Sequence, residues 1–121
     1  MRPMSQRHAV LGALAVLALA LLVPAVAEAR TFYGRVGPGP TITLKRGDGT
    51  TVRRIPAGRH IFVIRDRSSR HNFHLLGPGV DRKTSVAFTG RRRWSVRLQA
   101  GTYRYRCDPH RTTMRGRFAV V

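Results

Sequence analysis

The sequence has very little cysteine and very little negative charge. Cys107 is the only cysteine, so a disulfide within the chain is excluded. Five acidic residues stand against 23 lysines and arginines, which gives a formal net charge of +18 at pH 7. A surface of this kind attracts anionic partners. The alternative is that many of these residues serve only to keep a small domain soluble. Charge therefore predicts association and says nothing about the fold.

Apolar runs long enough to span a membrane are also lacking. The run 9–23 is short for a span, which needs roughly 20 apolar residues. It follows Arg2 and Arg7 and precedes the small residues 25–29, the order typical of a secretory signal peptide. We therefore expect residues 1–29 to be removed on export, with an uncleaved anchor as the alternative. No cysteine lies near this site, so a lipid-modified N-terminus is not indicated.

Export would leave one domain over residues 30–121, in the periplasm or outside the cell, with no membrane span. We expect this domain to be a monomer. Export argues against nucleic acid as a partner for so basic a protein. An acidic redox protein or an anionic surface of the cell envelope fits that compartment better.

Helical periodicity is absent after Arg30, where no segment repeats apolar residues at helical spacing over three turns. Short β-rich runs appear instead, separated by Gly, Pro and Asp. They predict an all-β sandwich of seven to eight strands. The runs are Thr31–Val36, Thr41–Lys45, Thr51–Ile55, His60–Arg65, Asn72–Leu76 and Ser85–Phe88, followed by three more around Trp94, Tyr103 and Phe118.

The last third of the chain alternates most regularly between apolar and basic residues. Tyr103, Tyr105 and Cys107 fall on one face of their strand, and Arg104 and Arg106 fall on the other. Because side chains alternate across a strand, the first set is predicted to point inward and the arginines toward water.

The segment after that strand contains an unusual combination of side chains. Cys107, His110 and Met114 provide a thiol, an imidazole and a thioether within eight residues of one loop. Soft donors of this kind select copper, whereas zinc would favour more cysteines and gain little from methionine. A hydrolase that pairs Cys107 with His110 is an alternative, but it would leave Met114 without a role.

A copper site of this type needs a second imidazole, which His60, His71 or His74 could supply. His60 precedes a predicted central strand and has no loop around it. His71 shares strand parity with Phe73 and Leu75, the predicted core residues of its segment. Parity therefore favours His71, and we expect His74 to face the other way and to be exposed, with His74 as the alternative ligand.

Together these residues form a pattern that resembles the cupredoxins, and among them the small plastocyanin- and amicyanin-like domains. The resemblance runs from about Pro56 to the end of the chain. It implies a Greek-key β-sandwich that transfers single electrons and has no enzymatic activity. It also implies one copper ion per chain, bound by His71, Cys107, His110 and Met114.

The resemblance also suggests which residues support the ligands. Asn72 matches the family asparagine whose side chain ties the two ligand loops together. Asp108 stands where relatives often carry Ser or Thr, and it could lower the reduction potential or pair with Arg70 or Arg111. Pro109 removes a backbone donor near the thiolate and stiffens the loop.

The family exchanges electrons near the residue that corresponds to His110. Five arginines are candidates for docking a partner: Arg70 and Arg111 beside that exit, and the run of Arg91, Arg92 and Arg93, which we place at a turn. Two other functions remain open. One is a copper carrier that delivers metal and not electrons, and the other is a metal-free domain that holds anionic polymer.

Overall fold

The computed structural model describes residues 3–4, 12–22 and 28–121. Parts of the predicted signal peptide, including residues 23–27 before its cleavage site, therefore lie outside the described residues. The described residues 12–22 are all exposed. No helix in the described ranges is both long and apolar enough to cross a membrane.

In the described part of the chain nine strands form two sheets, and the order of strands determines which loops meet. The strands are β1 (Thr31–Val36), β2 (Ile42–Lys45), β3 (Arg54–Ile55), β4 (Gly58–Asp66), β5 (His74–Gly77), β6 (Val80–Lys83), β7 (Gly90–Leu98), β8 (Gly101–Arg106) and β9 (Arg115–Val120). One sheet has the order β2-β1-β4-β7 and the other β3-β9-β8-β5-β6. Pairing is parallel between β1 and β4 and between β3 and β9, and antiparallel elsewhere. The predicted all-β sandwich is confirmed.

The core lies between the two sheets and is rich in aromatic rings. Phe62 of β4 meets Phe118 of β9 across the sandwich, with ring centroids 6.5 Å apart. Phe73 stacks on Tyr105 at 5.6 Å, just below the loops that carry the candidate ligands. Among the described residues, every member of the core cluster lies between residues 32 and 120, and residues 12–22 are exposed, so we expect residues 30–121 to fold without the preceding segment.

Two segments differ from the sequence predictions. Ser85–Phe88, predicted as a strand, is a turn region, and β6 was missed. The reason is that β6 is a short edge strand whose only buried residue is Val80, so it has no apolar alternation to detect.

The Arg91–Arg93 run lies in a strand, so its predicted placement at a turn was wrong. Pairing with the long strand β4 extends β7 back to Gly90. Arg91 and Arg93 point outward from the sheet, opposite Arg65 and Val63 of β4. Tertiary pairing has here overridden a local pattern that resembles a loop.

Candidate metal centre

Two loops meet at one end of the sandwich because β5 and β8 are paired. The first loop joins β4 to β5 and carries His71, and the second joins β8 to β9 and runs from Cys107 to Met114. His74, the first residue of β5, lies opposite Arg106, the last residue of β8. The residues just before β5 and just after β8 are therefore adjacent, although more than thirty positions separate them in the chain.

Three candidate ligands converge at this point. Cys107 Sγ lies 3.6 Å from His71 Nδ1 and 3.7 Å from His110 Nδ1. The two Nδ1 atoms are 3.1 Å apart. The thiol is fully buried, His71 is 8% exposed and His110 is exposed. The cluster therefore lies just beneath the surface and reaches solvent through His110.

Without a cation the two imidazoles can share one hydrogen bond, in which the Nδ1–H of one ring donates to the Nδ1 lone pair of the other. If neither Nδ1 carries a proton, two lone pairs point at the same place beside the Cys107 sulfur. A metal ion accepts both lone pairs and the thiolate at once, and first-row metals bond to nitrogen and sulfur at about 2.0–2.3 Å. Atoms separated by 3.1–3.7 Å can share an ion at that distance.

The backbone of the second loop folds Met114 back toward Cys107. A short 3-10 helix covers Asp108–His110. The Cys107 N–H donates to the Met114 carbonyl at 2.9 Å, and the Met114 N–H donates to the His110 carbonyl at 2.8 Å. The Met114 side chain is 1% exposed. The structure thus brings His71, Cys107 and His110 together and places Met114, buried, in the same closed loop.

Asn72 links the two loops through its backbone and its side chain. Its N–H points at Cys107 Sγ from 3.5 Å. Its side-chain oxygen accepts from the Asp108 N–H at 2.7 Å, and its amide nitrogen donates to Asp108 Oδ2 at 2.9 Å. These bonds set the separation of the two loops independently of any bound ion.

Asp108 pairs with neither Arg70 nor Arg111, so the second of the two roles considered for it was wrong. It accepts hydrogen bonds from Arg106 at 3.0 Å and from His74 at 2.8 Å, on the outer face of the five-stranded sheet. Partial burial raises the pKa of Asp108, but the hydrogen bonds from His74, Asn72 and Arg106 outweigh it and lower that pKa to about 2. The carboxylate is therefore ionised at neutral pH.

His74 is buried, with 7% exposure, which corrects the expectation that it faces solvent. Its Nδ1 is bonded to Asp108 and its Nε2 lies 2.6 Å from Asp81 Oδ1. Asp81 belongs to β6, the strand that the sequence pattern did not show. His60 is also buried and occupied, with Nδ1 accepting from the Arg30 N–H at 3.0 Å and Nε2 lying 2.8 Å from the Pro56 carbonyl.

Thr84 supports the first loop and was missed by the sequence analysis. Its hydroxyl accepts from the Phe73 N–H at 2.9 Å and donates to the buried Asp66 at 3.1 Å. Its carbonyl accepts from the Asn72 amide at 3.1 Å. A buried threonine after a missed strand leaves no recognisable signal in a single sequence, because its importance comes from distant partners.

The remaining predicted residues lie in different parts of the molecule. Pro109 is exposed in the first turn of the 3-10 helix, and Arg70 and Arg111 are exposed beside His71 and His110. Arg92 stacks on Phe88, with its guanidinium 3.9 Å from the ring centroid, while its two neighbours lie on the sheet face. The predicted docking arginines therefore do not form one group.

No protein-family model and no curated protein matches the sequence. Solved structures do match. A reduced rusticyanin is 19% identical with a TM-score of 0.60, covering 80% of this chain and 82% of that one. A rusticyanin described as a copper protein is 18% identical with a TM-score of 0.59, over 79% and 80% of the two chains. Rusticyanin from Thiobacillus ferrooxidans is 20% identical with a TM-score of 0.54, over 79% of each chain. The likeness concerns the fold, and this chain has the cupredoxin-like fold that its motifs predicted.

Proposed function

We propose that this protein is a small blue copper protein that carries single electrons through one copper ion. The ligands are His71, Cys107, His110 and Met114. The observation that carries the proposal is the meeting of two imidazole nitrogens and a buried thiol within 3.7 Å, at one end of a cupredoxin-like sandwich. One thiolate, two imidazoles and a weak axial thioether form the donor set of blue copper sites.

Copper, when bound, supplies the one-electron chemistry, and the chain supplies a rigid and nearly dry cavity. Cys107 is fully buried, so the thiolate is kept from solvent and from oxidants. Asn72 holds the two loops at a constant separation through its bonds to Asp108. Ligands held in this way move little between oxidation states, which favours electron transfer over substrate binding, and we propose no enzymatic activity.

The electron enters and leaves through His110, the exposed member of the cluster. Arg70 and Arg111 are exposed next to the two histidine ligands. We propose that they steer an acidic redox protein to this end of the molecule. Because such steering is screened by salt, the second-order rate of electron transfer should fall steeply as ionic strength rises. A rate independent of salt would contradict this docking mode.

Export completes the proposal: residues 1–29 act as the signal peptide and residues 30–121 as the copper domain, which works as a monomer in the periplasm or outside the cell. The supports are the charge, the apolar run and the small residues at 25–29, and the position of every strand of the described residues after residue 30. Sequencing the N-terminus of the exported protein tests the cleavage site.

The experiment that tests the function is a titration of the residue 30–121 domain with cupric ion, followed by voltammetry. We expect an intense visible thiolate-to-copper band that saturates at one ion per chain, and a reversible one-electron wave. A band without a reversible wave, with copper passed to a competing apoprotein, would instead identify a copper carrier. A colourless protein would refute the copper centre.

A further inference from the structure

The outer face of the four-stranded sheet is a plane of positive charge. Its outward residues come from β1, β2, β4 and β7. Seven of them are basic and all seven are exposed; we call them the arginine face: Arg35, Lys45, Arg59, Arg65, Arg91, Arg93 and Arg97. The pairing register places none of the described carboxylates among these outward positions.

Several of these cations are aligned directly opposite one another. Arg35 of β1 pairs with Arg65 of β4, and Arg65 pairs with Arg91 of β7, so three guanidinium groups form a row across three strands. Arg59 lies opposite Arg97 in the same way. Like charges directly opposite on adjacent strands destabilise a sheet, so the sequence maintains an arrangement that is unfavourable in the isolated protein.

Within residues 30–121, no side-chain carboxylate forms a salt bridge with the arginine face. Asp48 is held by Thr50 in an exposed turn and Asp66 is buried. Asp81 and Asp108 contact His74 on the other sheet. The salt bridges found in the described residues all use these last two acids. The two sheets therefore differ, because only the five-stranded sheet has carboxylates among its outer cations.

We propose that the arginine face binds an anionic phospholipid surface. Its cations extend in two directions, across the strands from Arg35 to Arg91 and along β7 from Arg91 to Arg97. A plane of charge of this kind matches a bilayer, whereas a linear polyanion can follow only one row. Juxtamembrane basic residues each strengthen binding to anionic lipid on the order of fivefold.

The composition of the face favours lipid over a protein partner. Tyr33 is its only large exposed apolar residue, at 47% exposure, and it lies beside the half-buried Val63. A protein interface is organised around a central cluster of buried anchors, which a single tyrosine does not provide. Tyrosine is, however, a side chain that favours the boundary between lipid and water.

Adsorption through this face would hold the metal centre beside the membrane. The row that contains Arg65 lies at the last residues of β4, and β4 continues into the loop that carries His71. The proposal does not depend on copper, because the face is formed entirely by strand pairing. It adds a membrane contact that is separate from docking at His110.

The test is co-sedimentation of the residue 30–121 domain with vesicles. The probe vesicles contain phosphatidylcholine with about one third phosphatidylglycerol, and the reference vesicles contain phosphatidylcholine alone. We expect binding to the anionic vesicles at low salt. The triple variant Arg35→Gln, Arg65→Gln, Arg91→Gln should bind about 100-fold more weakly, while its melting temperature stays the same or rises because a repulsive row is removed.

A charge-matched control removes three arginines from the other sheet: Arg104→Gln, Arg115→Gln, Arg117→Gln. Binding of this variant to the anionic vesicles should weaken by less than about threefold, although its net charge equals that of the first triple variant. If it loses as much as the first variant, net charge alone governs binding and the proposal fails. The proposal also fails if the wild-type domain ignores anionic vesicles, or if soluble polyphosphate chains bind the arginine face more tightly than the vesicles do.

Discussion

The four histidines of the sandwich fall into two pairs with opposite surroundings. His60 and His74 are buried, and both ring nitrogens of each have a protein partner. His71 and His110 direct their Nδ1 atoms at each other and at Cys107 Sγ. A nitrogen that already serves a backbone group or a carboxylate is not available to a metal, so the first pair is structural and the second pair is suited to ligation.

The comparison also shows that burial alone does not identify a ligand. His60, His71 and His74 are all at most 8% exposed. The difference lies in the elements that surround them, since His60 and His74 belong to paired strands whereas His71 lies in a loop. The ring nitrogens of His60 and His74 are occupied by groups next to those strands, namely Arg30, Pro56, Asp81 and Asp108. In its loop, His71 is directed instead at Cys107 and His110.

The largest effect should come from removing Cys107 Sγ, the atom that the second pair, His71 and His110, contacts. In Cys107→Ser the intense visible band should disappear at any copper concentration, because a hydroxyl does not replace the thiolate as a charge-transfer donor. Absorption spectroscopy during a cupric titration measures this. A blue Ser variant would show that another group supplies the colour.

The second prediction compares the loss of copper affinity when one histidine of each pair is removed. His71→Ala should weaken cupric binding by more than about 100-fold, since removal of supporting residues alone costs 10–100-fold. His74→Ala should remain within that smaller range, because it reaches the site only through Asp108. Competition with a chelator of known affinity compares the two variants. Equal losses would show that the division into structural and ligating histidines is wrong.

A third prediction concerns the amide that joins the two loops. Asn72→Ala should lower the free energy of unfolding of the metal-free domain by about 2–3 kcal/mol, because the partners left behind include the charged Asp108. Thr113→Ala is the control, since its exposed hydroxyl makes only a 3.4 Å contact with the His110 carbonyl, and it should change stability by less than about 0.5 kcal/mol. Urea unfolding measures both. An Asn72 variant as stable as the control would mean that the loops are held by other contacts.

The smallest expected effect concerns the pH dependence of stability. It arises from Asp108, which is bonded to His74 of the structural pair. Hydrogen bonds from His74, Asn72 and Arg106 lower the pKa of Asp108 to about 2 in the folded protein, from an ordinary value of 3.8. A lowered pKa stabilises the fold at pH values above the unfolded pKa, and this contribution of roughly 2 kcal/mol is lost as pH falls through the range from about 5 to 2. Asp108→Asn should therefore be less stable than the wild type at neutral pH, with the gap closing in acid.

Chemical unfolding of the metal-free proteins across that range measures the gap. Asp48→Asn is the comparison, since its carboxylate is exposed in a turn and its pKa is lowered by bonds from Thr50. Asp48 should show a weaker pH dependence of stability. A gap that stays constant down to pH 2 would show that Asp108 stabilises the fold without ionising differently from the unfolded chain.

Alternating segments of the fold were readable from the sequence, and the irregular ones were not. Tyr103 and Tyr105 of β8 point into the core, as the period of two predicted. Strand β6 was not predicted because Val80 is its only buried residue. It is a strand because it pairs with β5, and its own composition does not show this.

The same distinction applies to the candidate site, where residues within one segment could be predicted and distant partners could not. Cys107, His110 and Met114 could be grouped from spacing alone, because one closed loop carries all three. His71 was chosen by parity with Phe73, and it is found at Cys107. The partners of His74 and Asp108 could not be foreseen, since Asp81 and Arg106 come from strands that only meet in the folded sheet.

The sequence by itself determined the donor chemistry, the all-β pattern and the excess of positive charge, because these depend on residue type and on spacing within one segment. The tertiary structure alone decided which histidines keep free nitrogens and which arginines stand in a row. Both depend on strand pairing, which sets residues far apart in the chain opposite one another, as Arg35, Arg65 and Arg91 show.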